Sequence, residues 1–506
     1  MRAGVYSVPG SAATTNQPPA PLRMRRVACV PWGAGDARWI SLAAARLGVT
    51  TLRSGDVGRG VGSLSEQRIV TAKSEADASP ESSAPGSSTV ARPRVRAAWS
   101  SRALLALAWD DLLRFLHDHE ERTRRTPGFG AFFEALGEIE RERIERLWAI
   151  VRAIEHGRET AAAHEAETLL RRMPDEDDGA GAAAVRTFAE ALLGRIHKLS
   201  GSGGNLYLGA RPPGAQLRAF ELLRLRTPLI PFGYAAANRA LLDAVGEPAE
   251  VTLLDVGIGR GGQVRALLRN PWARRLFRSL HVIGVDPDSS LDAGGALETA
   301  QANVLAAAEE AGIPTTFAGI GKLAEQLTVG DLAAARPRGL LLANGSLSLH
   351  HVGLREHGAA RGRDAVLSTL REAGFGRIVL LEPDSNHDED DLALRFLYAY
   401  RHYGTLARSL HRTLRASDAV LVWTEFFVEE IRNVVAHDGA LRAERHEEAD
   451  RWTERLEASG YTVDTPPELV APSAAPAGFE VVYTGRAATL RYDGVSLLAV
   501  IRARAF

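Results

Sequence analysis

One stretch, Val251–Gln263 (VTLLDVGIGRGGQ), limits the possible folds more than any other part of the chain. Its first half, Val251–Val256, is rich in branched apolar residues and predicts a short strand buried on both faces. Four glycines and the start of a predicted helix follow: Gly257, Gly259, Gly261, Gly262 and Gln263. A turn without Cβ atoms lets a ligand approach bare backbone at the positive end of a helix dipole. The stretch therefore predicts a nucleotide-type cofactor site.

The acid before the glycines indicates which cofactor this turn takes. Asp255 lies two residues before Gly257, so the stretch reads D-x-G-x-G-x-G and resembles the first motif of S-adenosylmethionine-dependent methyltransferases. A carboxylate suits the ammonium and sulfonium of that ligand, whereas a pyrophosphate favours amides with no acid nearby. The next predicted strand, His281–Asp286, ends in an acid placed to accept hydrogen bonds from ribose hydroxyls. We therefore expect S-adenosylmethionine as the cofactor, with these binding residues: Asp255, Gly257, Gly259, Gly261, Gln263 and Asp286.

Two alternatives stay open at this turn. Gly257, Gly259 and Gly262 also satisfy G-x-G-x-x-G, and Asp286 follows at roughly the interval of a ribose-binding acid. A dinucleotide-dependent oxidoreductase is therefore one alternative. The other is a fold of the same type whose site binds nothing.

The composition limits the class of protein and its partners. The chain has 506 residues, of which 45% are hydrophobic and 24% charged, as in an ordinary globular protein. Its 61 Lys and Arg against 62 Asp and Glu give a net charge of −1, so we expect no direct contact with nucleic acid. The single cysteine, Cys29, excludes internal disulfides and cysteine-based zinc sites. No apolar run approaches the length of a membrane span, and we expect a cytoplasmic protein that contacts no membrane.

Changes in sequence character divide the chain into three predicted regions. Residues 1–97 contain stretches rich in Pro, Ser and Ala and predict a disordered extension. Residues 98–246 carry apolar side chains at helical spacing. Residues 247–506 alternate strands with helices and predict an α/β core, a Rossmann methyltransferase-like doubly wound sheet. A helical insertion at about 388–445 interrupts this core, and we expect it to form an α-helical cap together with the N-terminal helices.

Strand and turn patterns order the predicted core. After the first two strands, three more are expected at Thr315–Ala318, Gly339–Asn344 and Arg377–Glu382. Pro231–Tyr234 (PFGY) is expected to break the helical pattern, so that a helix resumes at Ala235–Val245. At the C-terminus, Phe479–Tyr483 and Val495–Ala503 predict an antiparallel edge hairpin, with Asp493-Gly494 as a turn.

Five further stretches carry patterns of one known family. They are Thr227–Ala240, Leu341–Val352 (LLANGSLSLHHV), Glu382–His387 (EPDSNH), Arg395–Leu410 (RFLYAYRHYGTLARSL) and Val428–Trp452 (VEEIRNVVAHDGALRAERHEEADRW). The last of these is similar to the family pattern nearly residue for residue. Together with Val251–Ile258, they identify the chain as similar to the GRAS proteins, from roughly His164 to the C-terminus. That family includes plant transcriptional regulators and a bacterial branch, and the chain resembles the bacterial branch.

The resemblance implies a Rossmann methyltransferase-like core with a helical cap. It implies regulatory binding for plant members and suggests small-molecule methylation for bacterial ones. Two departures are informative: Ala471–Phe506 lacks the closing tryptophans of the family, whereas the intact D-x-G-x-G-x-G motif is often lost in plant members. Because a fold does not determine a function, the prediction has to rest on the site residues.

Candidate catalytic residues follow the predicted strands, because ligands of open α/β sheets bind beyond the carboxyl ends of strands. Asn344 ends the fourth strand and is expected to border the transferring methyl, and Glu382 ends the fifth and faces the substrate. His350, His351 or Glu382 could remove the proton of a hydroxyl acceptor. Adjacent histidines point to opposite faces of an extended segment, so at most one of the pair is expected in the site. Asn386 fits a turn as well as a catalytic role.

Metal binding is not predicted. The carboxylate-rich run after Glu382, which begins at His387, has no recognised ligand spacing and suits a solvated helix N-terminus.

These observations predict an S-adenosylmethionine-dependent methyltransferase that transfers a methyl group to an O or N atom of a small-molecule acceptor. The acceptor is expected between the cap and the strand ends. The alternative is a non-catalytic ligand- or protein-binding regulatory module. The helical regions leave a homodimer or a protein partner open. Loss of the acids in Asp255→Ala and Asp286→Ala would leave binding by such a module intact, which separates the two hypotheses.

Overall fold

A nine-stranded sheet organises the described part of the chain. The structure is a computed structural model that describes residues 101–123, 129–173, 179–198, 213–287, 295–352, 362–468 and 476–506. The strands in these ranges are β1 Ala249–Val256, β2 Phe277–Val285, β3 Thr315–Ile320, β4 Leu340–Ser346, β5 Arg377–Pro383, β6 Tyr461–Asp464, β7 Phe479–Tyr483, β8 Ala488–Tyr492 and β9 Val495–Ala505. Their order in the sheet is β3-β2-β1-β4-β5-β9-β8-β7, and β6 also pairs with β9.

The first five strands are parallel and lie where the sequence predicts strands. β1 pairs with β2 on one side and β4 on the other, and β3 and β5 extend the sheet in the two directions. Along β1, Leu253 belongs to one hydrophobic cluster and Leu254 to a second, so the strand is buried on both faces as predicted. The fold is mixed α/β. After β1 the chain builds β2 and β3 on one side and then returns to β4 on the other, and such a reversal is where open α/β sheets bind ligands.

Helices flank and follow these strands. Their bounds are α1 Ser101–Thr123, α2 Phe129–Glu134, α3 Glu138–Glu155, α4 Glu159–Arg172, α5 Ala180–Ile196, α6 Pro213–Arg226, α7 Leu229–Val245, α8 Gly262–Leu268, α9 Pro271–Leu276, α10 Ala296–Ala311, α11 Val329–Ala334, α12 Arg363–Glu372, α13 Leu392–Thr413, α14 Ala416–Val422, α15 Val428–Ala436 and α16 Ala449–Ala458. A π-helical turn, Trp423–Phe427, joins α14 to α15. Within the described ranges, every helix is too short or too polar to cross a bilayer.

The predicted helix break at residues 231–234 is wrong. Helix α7 begins at Leu229 and continues without interruption to Val245. Pro231 lies in the first turn of the helix, where backbone N–H groups have no intrahelical acceptor and proline is tolerated. Gly233 permits close packing, because a Cβ at that position would lie 2.6 Å from Cδ2 of Leu381 in β5. The PFGY segment therefore joins the helix to the sheet.

The predicted C-terminal edge hairpin is wrong in its pairing. β7 and β9 are not neighbours, because β8 lies between them and pairs with both. β9 pairs with β5 on its other side, and β6 pairs with the same strand further along. The two strands that sequence reasoning missed are short, and neither has a long apolar run. The predicted turn at Asp493 and Gly494 is confirmed, since both residues have positive φ between β8 and β9.

The N-terminal helices pack against the helices inserted after β5. Phe188 of α5 meets Phe396 of α13 edge to face at a centroid distance of 5.6 Å. Trp423 Nε1 donates a hydrogen bond of 3.1 Å to Oγ1 of Thr187. These contacts join the two predicted parts of the cap. The division of the chain into cap and core stays a prediction, and the predicted extension at 1–97 lies outside the described residues.

Candidate functional site

A cavity of about 580 Å³ lies at the carboxyl ends of the parallel strands. One end is lined by the glycine turn after β1 and by Asp286 after β2. The other end is lined by His350, His351, His402 and His446. Helix α6 and the π-helical turn also contribute apolar side chains to the lining, among which are Phe220 and Phe426. The volume is that of a small-molecule site.

The glycine turn brings bare backbone to the cavity. Gly257 and Ile258 both donate their N–H groups to the carbonyl oxygen of Val285, at 2.8 and 3.1 Å. Gly257 has φ of 77°, and a Cβ there would lie 2.5 Å from Cβ of Ser348. Gly259 has φ of 50°, and a Cβ there would meet nothing within 4 Å. Gly257 and Gly259, both predicted cofactor-binding residues, therefore present only backbone atoms to the cavity.

Gly261 has a different surrounding. Its φ is 73°, and a Cβ there would lie 3.0 Å from Cγ2 of Val304 in α10. This predicted cofactor residue therefore packs against a helix and does not line the cavity. Its glycine lets α8 begin close to α10.

Asp286 connects the second strand to the turn. Its Oδ2 accepts a hydrogen bond of 2.9 Å from the N–H of Gly259, and the side chain lines the cavity. Burial raises the pKa of Asp286 above the usual value, and the Gly259 N–H works against that rise. Of the predicted cofactor residues, it is the one whose carboxylate faces the cavity, so a hydroxyl-bearing ligand can reach it there.

Asp255 lies behind the turn and not in the cavity lining. It is 3% exposed, and its Oδ1 accepts a hydrogen bond of 2.7 Å from Nδ2 of Asn344. Nε2 of Gln263 donates to Oδ1 of Asn344 at 3.1 Å. These three predicted site residues therefore form one buried polar network. Burial raises the pKa of Asp255 to about 7, although the Asn344 hydrogen bond lowers it and nearby Asp286 raises it further.

The network changes the geometry expected for two of the predicted roles. In the structure Asp255 and Asn344 do not line the cavity, and the side-chain amide of Asn344 hydrogen-bonds to Asp255 and Gln263. The three residues hold the end of β1, the end of β4 and the start of α8 together. Their predicted contacts with cofactor and acceptor stay predictions.

Glu382 and His350 form a buried pair at the far end of the cavity. Oε2 of Glu382 lies 2.5 Å from Nδ1 of His350, and Oε1 accepts a hydrogen bond of 2.8 Å from the N–H of Leu349. Burial raises the pKa of Glu382 to about 7 and lowers the pKa of His350 well below its usual value. Glu382 is 1% exposed and lies behind the imidazole. It therefore orients His350 and does not itself face the cavity.

The expectation that only one of the adjacent histidines enters the site is wrong. Leu349–His351 forms a 3-10 helix, not the extended segment that the expectation assumed. The two imidazoles consequently lie side by side, with centroids 3.8 Å apart, and both line the cavity. Burial alone would lower the pKa of His351, but the Glu444 carboxylate raises it above its usual value. Leu347, with φ of 55°, makes the sharp turn that brings them there.

Asn386 lies away from the cavity lining. Its Nδ2 donates a hydrogen bond of 2.7 Å to Oε1 of Glu389, which ties the loop before α13. This contact fits the structural role in a turn that the sequence allowed for Asn386 beside a catalytic one. Sequence reasoning missed Glu444 and His446, which the fold places beside His350. A signal was present, because both belong to the segment 428–452 that carries the strongest family pattern.

The comparisons of the sequence with known proteins agree on one family. A model of the GRAS domain family matches residues 144–468. Scarecrow-like protein 5 of Arabidopsis thaliana is 27% identical over 301 residues, which are 58% of this chain and 50% of that protein. Scarecrow-like transcription factor PAT1 of the same plant is 26% identical over 309 residues, which are 59% of this chain and 62% of that protein.

A solved structure shares the fold. SCL7 of Oryza sativa aligns with a TM-score of 0.59 at 19% identity, over 72% of this chain and 99% of that chain. At this identity the likeness establishes the fold alone. The chain spans about half the length of the curated relatives it matches.

Proposed function

The chain belongs to the GRAS domain family, and we propose that its cavity binds S-adenosylmethionine, whose methyl group the protein transfers to a small-molecule acceptor. The observation that carries this proposal is that the glycine turn, Asp286 and a cluster of histidines line one and the same cavity. The family match confirms the predicted resemblance. The bacterial branch stays a prediction, because the relatives compared are plant proteins.

The cofactor end of the cavity has groups that fit this ligand. Asp286 would accept hydrogen bonds from the ribose hydroxyls, and Gly259, where a Cβ would project into open space, lets the ligand approach the backbone. Gly257 leaves room for Ser348 beside the turn. Asp255, with Gly261 and Gln263, holds the turn from behind. When bound, the cofactor supplies a methyl group on a sulfonium that is already activated, so the protein mainly has to align the reacting atoms.

The acceptor would occupy the histidine end. An acceptor hydroxyl has to lose its proton, and an imidazole is well matched to this task near neutral pH. We assign the task to His351, which lines the cavity and whose ring is held by Glu444 at 3.1 Å. His350 is committed to Glu382. Apolar side chains of α6 and of the π-helical turn would exclude water from the acceptor.

The test is calorimetric titration of the full chain with S-adenosylhomocysteine, the product analogue, which avoids turnover. We expect micromolar binding in the wild type and a loss of at least about tenfold in Asp286→Ala, because each ribose hydrogen bond to a charged group is worth about 1.5–3 kcal/mol. Asp450→Ala removes an exposed carboxylate and serves as the matched control. A folded wild-type protein that does not bind the analogue would overturn the proposal.

A regulatory binding function is the second candidate, and the comparisons favour it. The relatives carry names such as transcription factor and gibberellin-responsive protein, and none of those names states an enzyme activity. On this hypothesis the cavity or the helical surface binds a ligand or a protein partner without catalysis. Retained partner binding in Asp286→Ala, together with no methyl transfer from S-adenosylmethionine to any acceptor tested, would support it.

A further inference from the structure

Three residues brought together by the fold form a cluster at the histidine end of the cavity: His350, Glu444 and His446. One potential ligand atom of each lies within 4.8 Å of those of the other two. We infer that these side chains bind a divalent transition-metal cation of the zinc type. The inference does not rest on methyl transfer, because the cluster would hold its ion under either functional hypothesis.

The distances in the cluster suit a shared cation better than hydrogen bonds. Oε2 of Glu444 lies 3.7 Å from Nε2 of His350 and 3.7 Å from Nε2 of His446. Both distances are too long for a hydrogen bond. Two ligands of a tetrahedral zinc ion, each about 2.1 Å from the metal, are about 3.4 Å apart. The two oxygen–nitrogen pairs would therefore have to close by about 0.3 Å to complete the site. The two imidazole nitrogens, which lie within 4.8 Å of each other, would have to close by up to about 1.4 Å.

The donor set is one that zinc uses. Two imidazoles and one carboxylate bind zinc in sites that leave a fourth position open for water or a substrate. His350 and His446 both line the cavity. A bound ion would therefore present its remaining position to whatever molecule occupies the cavity, and it could be reached from there.

A second shell of carboxylate and imidazole orients two of the ligands. An imidazole that donates its Nδ1–H to Glu382, 2.5 Å away, carries its lone pair on Nε2, which is the nitrogen of His350 that faces Glu444. Metal-binding histidines usually have such a carboxylate partner. Nδ1 of His351 lies 3.1 Å from Oε1 of Glu444 and holds the oxygen that does not face the other two ligands.

His446 provides an independent indication of a ligand. The residue is 1% exposed, and neither ring nitrogen has a hydrogen-bond partner among the described residues. The ring is held in place by stacking on His387, at a centroid distance of 4.5 Å and an interplanar angle of 29°. A buried polar group without a partner costs about 1–3 kcal/mol. A cation would remove this cost.

The backbone fixes the positions of the ligands. The N–H of Glu444 donates a hydrogen bond of 2.9 Å to Oδ1 of Asn433 in α15. The N–H of Arg445 donates to the carbonyl oxygen of His350 at 3.1 Å, which links the two ligand segments directly. Preorganised ligands of this kind are needed for a specific metal site.

The neighbouring arginines do not neutralise Glu444. Nη2 of Arg442 lies 3.2 Å from Oδ1 of Asp390, and Nη1 of Arg445 lies 2.7 Å from Oδ1 of Asp388. Both guanidinium groups are thus paired with other acids. The fully buried carboxylate of Glu444 faces imidazoles instead. Its Oε1 is paired with His351, and a divalent cation would supply positive charge at Oε2, the oxygen that faces His350 and His446.

The test is zinc binding by the full chain after treatment with a chelator, measured by equilibrium dialysis with ZnCl₂ and elemental analysis. We expect one equivalent of zinc to bind the wild type and His156→Gln, a control that removes an exposed histidine distant in sequence from the cluster. In Glu382→Gln the affinity should fall about 10–100-fold, as for loss of a second-shell partner. In His446→Gln and Glu444→Gln the loss should be larger still. Circular dichroism would verify that each variant is folded.

A second readout keeps the inference testable if a ligand variant does not fold. CoCl₂ added to the wild type should give the visible absorption of a tetrahedral site with nitrogen and oxygen ligands, and Glu382→Gln should weaken its binding. No zinc binding by the wild type would overturn the inference. One equivalent bound equally by the wild type and by folded His446→Gln and Glu444→Gln would overturn it as well, since the ion would then lie elsewhere.

Discussion

Replacing Asp255 by asparagine should stabilise the protein at alkaline pH. The carboxyl of Asp255 keeps its proton up to about pH 7 in the folded state because of burial, compared with a usual pKa of 3.8. Between these values the unfolded state binds fewer protons than the folded state, so wild-type stability falls as the pH rises. One pKa unit is worth about 1.4 kcal/mol, so the full loss is about 4 kcal/mol above pH 7.

The amide introduced by Asp255→Asn would keep the hydrogen bond from Asn344, because its side-chain oxygen can accept it, but would carry no charge at any pH. The free energy of unfolding of Asp255→Asn, relative to the wild type, should therefore rise by about 3 kcal/mol between pH 5 and pH 8. Most of this rise falls between pH 5 and pH 7, the two pH units below the pKa of Asp255 in the folded state. Urea unfolding at the two pH values measures this difference.

The matched control is Asp450→Asn, which makes the same chemical change at an exposed position. Its effect should stay within about 0.5 kcal/mol at both pH values. If Asp255→Asn differs from the wild type by the same amount at pH 5 and pH 8, the acid has an ordinary pKa in the folded state and the reasoning fails.

Two further changes test the turn and the helical insertion. Gly257→Ala should destabilise the protein by about 3 kcal/mol or more, because a left-handed alanine costs about 1–2 kcal/mol and its Cβ would overlap Ser348. Gly259→Ala should cost only the backbone contribution of about 1–2 kcal/mol, since its Cβ would meet no neighbour. Equal urea midpoints for the two variants would contradict this expectation. Arg395→Met should cost about 3–5 kcal/mol, because the fully buried guanidinium donates a hydrogen bond of 2.8 Å to the carbonyl oxygen of Val434. Arg171→Met removes an exposed guanidinium whose acidic partner, Glu167, is also exposed, and it should have little effect in the same assay.

The sequence predicted the parts of the fold that depend on local pattern. The parallel strands follow from short apolar runs bounded by glycine and acid, as at Val251–Val256. The short strands β6 and β8 were missed, because a short strand beside a long one needs little apolar sequence of its own. Helix α7 shows a similar limit, since Pro231 disrupts a helix interior but not a first turn.

The candidate site was predictable where it lies near one turn and not where it depends on distant segments. Asp286 and the glycines could be found from spacing alone. Asn344 was predicted from its position at a strand end, but its bond to Asp255, 89 residues earlier, has no local signal. Glu444 and His446 come from the segment after α15 and meet His350 only through the fold, so no ligand spacing in the sequence indicated the proposed metal site.

The most direct test of the account is hydrogen–deuterium exchange of the full chain with and without S-adenosylhomocysteine, because this measurement locates the ligand. We expect slower exchange at residues 256–260, 322–325, 346–348 and 350–352, which line the cavity, and loss of this protection in Asp286→Ala. Unchanged exchange in these segments, or protection confined to other parts of the chain, would contradict the assignment of the cavity as the cofactor site.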